Sequence, residues 1–154
     1  MVSQGEASIT LAIESDGTTL KKFPFAFRLE LSYVLEGRSL TEAWKVINNS
    51  GESMYFSFGG HPAFACPLKK TAQSDRRTDC FIRLYGADGA ALTAEELVST
   101  DIGVPDGNAG YICLEPWWGI CDSKGYDGTL QERPYTNMAA AGQSCGAAFK
   151  IIVH

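Results

Sequence analysis

The chain has 154 residues, 45% of them hydrophobic and 20% charged, with a formal charge of −5. That is the size and composition of one soluble globular domain, and it excludes disorder. A net negative chain whose basic doublets are Lys21-Lys22, Lys69-Lys70 and Arg76-Arg77 has no electrostatic footprint for nucleic acid or an anionic membrane, so neither is expected as a partner.

The N-terminus, MVSQGE, has neither a basic stretch nor an apolar core, and no later segment is long and apolar enough to span a bilayer. Five cysteines, Cys66, Cys80, Cys113, Cys121 and Cys145, form no Cys-x-x-Cys pair, so free thiols in a reducing compartment, the cytoplasm, are expected. The two histidines, His61 and His154, offer no clustered ligand spacing, so no protein-bound metal is expected.

In chain order, the period is that of strands. Ile9, Leu11 and Ile13 alternate with small or polar residues and stop at Ser15-Asp16-Gly17. Phe23, Phe25, Phe27, Leu29, Leu31 and Tyr33 alternate again, which predicts a second strand with one buried face and an irregular start at Pro24. Glu36-Gly37 supplies a turn, Leu40 to Ile47 a third strand, and Asn48-Asn49-Ser50-Gly51 a loop. Consecutive strands joined in this way predict an antiparallel meander with one face packed.

Met54 to Phe58 is the next strand, and it ends in FGGHPAF, residues 58–64. The two glycines and Pro62 spell a turn, and the histidine inside it is either a turn residue or a proton carrier presented from a sheet end. Leu92 to Leu97, with Thr93 as N-cap and Glu96 as its capping-box partner, predicts one short helix. Asp101 to Gly110 reads as a loop, Tyr111 to Glu115 as a strand, and Ala147 to Val153 as the last strand. Glu115 precedes Pro116-Trp117-Trp118, so it is either a solvated strand-end charge or a carboxylate desolvated by indoles and suited to accept a proton.

FGGHPAF, the preceding PFAFRLELSYVLEGRSLTEAWKVINNS, and YICLEPWWGICDSKGYDGTLQERP together resemble the aldose 1-epimerase (galactose mutarotase-like) family, most closely its LacX-like branch. The resemblance covers most of the chain and is weakest from Lys69 to Gly110. It implies a mainly β fold, an antiparallel β-supersandwich, with residues 1–154 forming a single truncated domain. The implied activity is interconversion of the α and β anomers of an aldohexose, without a cofactor. His61 would be the general acid and Glu115 the general base, with Trp117, Trp118 and Asp122 holding the sugar. The family pattern also contains an upstream stretch with an arginine and a second histidine, and the chain is read as beginning after it. Two readings follow: a shortened mutarotase, or a non-catalytic carbohydrate-binding remnant of the same fold. Shortening would leave sheet edges exposed, so self-association is expected as well.

Overall fold

The computed structural model describes residues 1–65, 83–85, 90, 100–101 and 111–153. The strands are β1 (Ser3–Gln4), β2 (Ser8–Glu14), β3 (Phe27–Glu36), β4 (Ser39–Asn48), β5 (Met54–Phe56), β6 (Phe58–Gly59), β7 (Ala63–Ala65), β8 (Thr100–Asp101), β9 (Tyr111–Cys113), β10 (Glu115–Trp118), β11 (Asn137–Ala139) and β12 (Ser144–Ile152). Every pairing is antiparallel. No helix occurs among the described residues, and none there is long and apolar enough to cross a membrane. The predicted helix at residues 92–97, most of the predicted loop at 101–110, Cys66, Cys80 and the doublets Lys69-Lys70 and Arg76-Arg77 lie outside them.

The chain divides into two compact units, Met1–Phe56 with Ser123–His154, and Ser57–Asp122. The first contains the predicted meander. Its five-stranded sheet runs β1-β2-β3-β4-β12, and β5 and β11 form a separate pair. Strand alternation explains the register: Leu31 stands opposite Leu11 on β2 and Trp44 on β4, and Trp44 stands opposite Ala147 on β12. Residues directly opposite share a face, so the apolar sets of all four long strands lie together. The small Ala147 leaves room beside it, and the Trp44 indole stacks on Phe149 with ring centroids 5.4 Å apart. The core follows β4, where Glu42, Trp44, Val46 and Asn48 are buried, whereas Leu11 and Ile13 on β2 remain exposed.

The Gly37 and Arg38 loop closes the β3–β4 hairpin. Gly37 has φ 58° and Arg38 is not in the left-handed region, the φ pattern of a type II′ turn with glycine first.

One expectation is corrected here. Phe23 and Phe25 do not begin a strand, because β3 starts at Phe27. The Asp16 carboxylate accepts the N–H groups of Thr18 and Thr19, both at 2.8 Å, and the Leu20 and Phe23 N–H groups bond the carbonyls of Asp16 and Thr19. These local bonds wind residues 16–23 into turns, and Pro24 then has no N–H to give a ladder. The alternating phenylalanines instead form a ring cluster, with Phe23 centred 5.2 Å from Phe25 and 5.8 Å from Phe27.

Glu42 sits in the apolar face, 3% exposed, opposite Tyr33. Burial pushes its carboxyl above the ordinary value of 4.5, and a hydrogen bond from the Tyr33 hydroxyl offsets part of the rise. A carboxyl raised in the folded state binds its proton more tightly there than in the unfolded chain. The contribution of Glu42 to stability is therefore fully present below 4.5 and is lost as pH climbs from 4.5 through the raised folded value. Glu42→Gln keeps an acceptor for Tyr33 and removes the charge. It is expected to stabilise the protein by about 1 kcal/mol at neutral pH, with the gain disappearing in acid. Thermal unfolding at the two pH values checks this, and equal midpoints for the two proteins at neutral pH would count against it.

Candidate functional site

The second unit carries the His61 and Glu115 motifs on two antiparallel pairs, β6 with β10 and β7 with β9. Before the His61 loop, Phe58 and Gly59 stand opposite Trp118 and Trp117. After it, Ala63, Phe64 and Ala65 stand opposite Cys113, Ile112 and Tyr111. The register is the same on both sides, so His61 falls directly opposite Glu115.

The prolines explain why the pair sits at an interruption in the ladder. Gly60 N–H donates to the Pro116 carbonyl at 3.0 Å, and Leu114 N–H donates to the Pro62 carbonyl at 3.0 Å. Neither proline can return a bond, so each flanking rung is half made. His61 and Glu115 form the non-hydrogen-bonded rung between them, where antiparallel side chains approach most closely. Each also directly precedes a proline, which disfavours helical φ/ψ and holds it extended.

The result is a contact of 2.9 Å between His61 Nε2 and Glu115 Oε1. The two environments differ. Glu115 is on the central strand of the sheet β6-β10-β8 and its side chain is 13% exposed, whereas the His61 side chain is 64% exposed. The arrangement is a carboxylate shielded by neighbouring strands, touching an imidazole open to solvent. Such a pair can take a proton from one atom of a bound molecule and give one to another.

Of the other expected residues, Trp117 lies on the side of the pair and Trp118 does not. A Cβ on Gly59 would come within 2.5 Å of Trp117 Cε3, so the indole covers the glycine face that the strand period shares with His61. Trp117 is nonetheless 47% exposed and offers a flat apolar surface. Trp118 turns to the opposite face, where it stacks on Phe58 at 5.2 Å. Asp122 is exposed beyond the end of β10. Gly59 was expected in a turn and instead lies in β6, and the place of Cys113 beside the pair was not foreseen. Gly59 admits the indole, and Cys113, the last residue of β9, is buried with its sulfur within 4.8 Å of the His61 and Glu115 ligand atoms. The Cys-x-Glu spacing at 113 and 115 carries that signal, since residues two apart on a strand point the same way.

Gly59→Ala places its Cβ 2.5 Å from the indole and 2.9 Å from the Pro116 carbonyl oxygen. The indole can turn aside, but the carbonyl belongs to the paired strand. The expected loss is about 1–3 kcal/mol together with a changed tryptophan fluorescence spectrum. Thermal unfolding followed by fluorescence checks both, and an unchanged midpoint and spectrum would exclude this packing.

The aldose 1-epimerase family profile matches residues 1–84 of the 154, and the chain belongs to that family. His61 lies within the matched segment and Glu115 beyond it. The plasmid and chromosomal LacX proteins of Lactococcus lactis subsp. lactis are each 36% identical over 64 residues, which is 41% of this chain and 21% of theirs. The match thus spans about a fifth of the length of those curated relatives. Among solved structures, a galactose mutarotase related enzyme from Lactobacillus acidophilus superposes with a TM-score of 0.74 at 21% identity, covering 99% of this chain and 70% of that one. A galactose mutarotase-like protein from Lactobacillus casei gives a TM-score of 0.71 at 21% identity, with 98% and 71% coverage. The fold is therefore the mainly β, antiparallel fold of these proteins.

Proposed function

We propose that the protein is a mutarotase that interconverts the α and β anomers of an aldohexose, with Glu115 as base and His61 as acid. The single observation that supports this reading most is the direct opposition of the two residues, in contact at 2.9 Å, on a rung flanked by half-made proline pairs. The Glu115 carboxylate takes the proton of the C1 hydroxyl while protonated His61 gives its proton to the ring oxygen. The C1–ring oxygen bond breaks and the open aldehyde forms. Rotation about C1–C2 turns the other carbonyl face to the C5 hydroxyl. Closure then reverses both transfers, and each group ends in the state in which it began. The exposed Trp117 face beside the pair suits the C–H surface of a pyranose ring.

The 64% exposure of His61 favours a second reading, in which the Trp117 face holds sugar without turnover. An acid open to water protonates a substrate efficiently only when that substrate is held in line. Polarimetry of freshly dissolved α-D-glucose and α-D-galactose separates the two. Acceleration over the spontaneous rate supports the enzyme. No acceleration by folded protein, with tryptophan fluorescence that responds to sugar, supports the binding module.

A further inference from the structure

We propose that His61, Cys113 and Glu115 form a binding site for a thiophilic divalent cation of the zinc type. The imidazole nitrogen, the sulfur and a carboxylate oxygen all lie within 4.8 Å of one another. The strand geometry makes the cluster: Cys113 ends β9 and Glu115, two residues on, begins β10 in the same register against the His61 segment, and His61 is on the rung opposite Glu115. The expectation of no metal came from sequence spacing alone. His61 is 52 and 54 positions before Cys113 and Glu115 and is brought to them only by strand pairing.

The donor set selects the ion. Imidazole, thiolate and carboxylate are the three ligand types zinc takes, at about 2.0–2.3 Å each. On a tetrahedron such ligands stand about 3.3–3.7 Å apart, so the widest separation here must close by about 1 Å. The His61–Glu115 contact, at 2.9 Å, must open by about 0.4 Å or more, and the exposed His61 side chain has room to move. Thiolate and carboxylate together match a divalent charge. A single carboxylate with a thiol is a poor set for magnesium or calcium, which require several oxygens. Three protein ligands leave a fourth position for water, the open arrangement of zinc sites that exchange ligands.

Binding has a chemical consequence. The ion takes the place of the proton between His61 Nε2 and Glu115 Oε1, and it displaces the thiol proton of Cys113, so protons are released on loading. If the mutarotase reading holds, an occupied site has lost its acid and its base, and zinc inhibits. The binding itself does not depend on that reading.

Cobalt(II) titration of the reduced full-length protein tests the site, because cobalt bound to thiolate shows a sulfur-to-metal charge-transfer band. The expected result is a band that saturates at one ion per chain and is chased by zinc. Cys113→Ser should abolish it, leaving Cys121 and Cys145 without effect. His61→Gln and Glu115→Gln should each weaken binding by at least about tenfold, since loss of even an outer partner of a ligand costs that much. Absence of the band in the wild type, its persistence in Cys113→Ser, or unchanged affinity in either of the other variants would overturn the proposal. If Cys113→Ser does not fold, the other two variants carry the test, His61→Gln first because that side chain is 64% exposed. Polarimetry without metal is measured separately, so a failed metal site and a failed mutarotase are told apart.

Discussion

Glu115→Gln is expected to lower the catalysed rate of mutarotation about 100- to 10,000-fold, and His61→Gln to lower it over the same range. Both substitutions keep the shape of the rung and remove the ability to accept or deliver a proton at the 2.9 Å contact. The fold should survive, because an ion pair with one partner so exposed contributes only about 0–1 kcal/mol. Unchanged far-UV circular dichroism beside a steep loss of rate would therefore assign the effect to chemistry. In the proposed mechanism the two groups act in one concerted exchange, so the double variant should be little slower than the slower single one. Rates within a factor of about two of the wild type in either single variant would remove that residue from the mechanism.

The long strands were legible because alternation reports a half-buried face directly. Ile9 to Ile13, Leu29 to Tyr33 and Trp44 to Val46 lie in strands that pair in the order their sequence suggests. Alternation also misled, since Phe23 and Phe25 have the same period but are drawn into turns by Asp16 and Thr19. The run from Met54 to Phe58 reads as one strand, yet the chain changes partner at Ser57, from β11 to β10. That break depends on residues eighty positions and sixty positions away, which no local pattern contains. The same holds for the site. Each motif marks a strand end, and the family resemblance named His61 and Glu115, but their opposition follows from a register set by Gly59 with Trp117 and Ala63 with Cys113. Cys113 was read as a free thiol, and it is one, but its neighbours came only from that register.

Asn48→Ala is expected to destabilise the first unit by about 3 kcal/mol, more than any other polar substitution considered. The composition of Asn48-Asn49-Ser50-Gly51 indicated a loop, and the first residue of that run turns out to be fully buried, at 0% exposure. Its Nδ2 group donates to the carbonyls of Glu52, Ala139 and Ala140 at 2.7, 2.9 and 3.1 Å, and its Oδ1 accepts the Ser50 N–H at 2.9 Å. One side chain thus ties the end of β4 to the following loop and to the end of β11. Alanine removes all of these bonds at a buried position; the Ala140 carbonyl keeps the Gln143 N–H and the Glu52 carbonyl keeps the Ser50 hydroxyl, so the loss is that of the shared network, at about 1–3 kcal/mol for each buried group whose bond is lost. Part of this is relieved because the Glu52 side is exposed to water. Asn48→Asp makes the argument sharper. It has the same shape and keeps the acceptor for Ser50, but an ionised carboxylate brings no donor to three carbonyls. At neutral pH it should be at least as damaging as alanine, and in acid, where the carboxyl regains a proton to donate, part of the loss should return. Urea unfolding of the three proteins at both pH values measures this. If both variants stay within about 1 kcal/mol of the wild type, the network is not what holds β11 to β4.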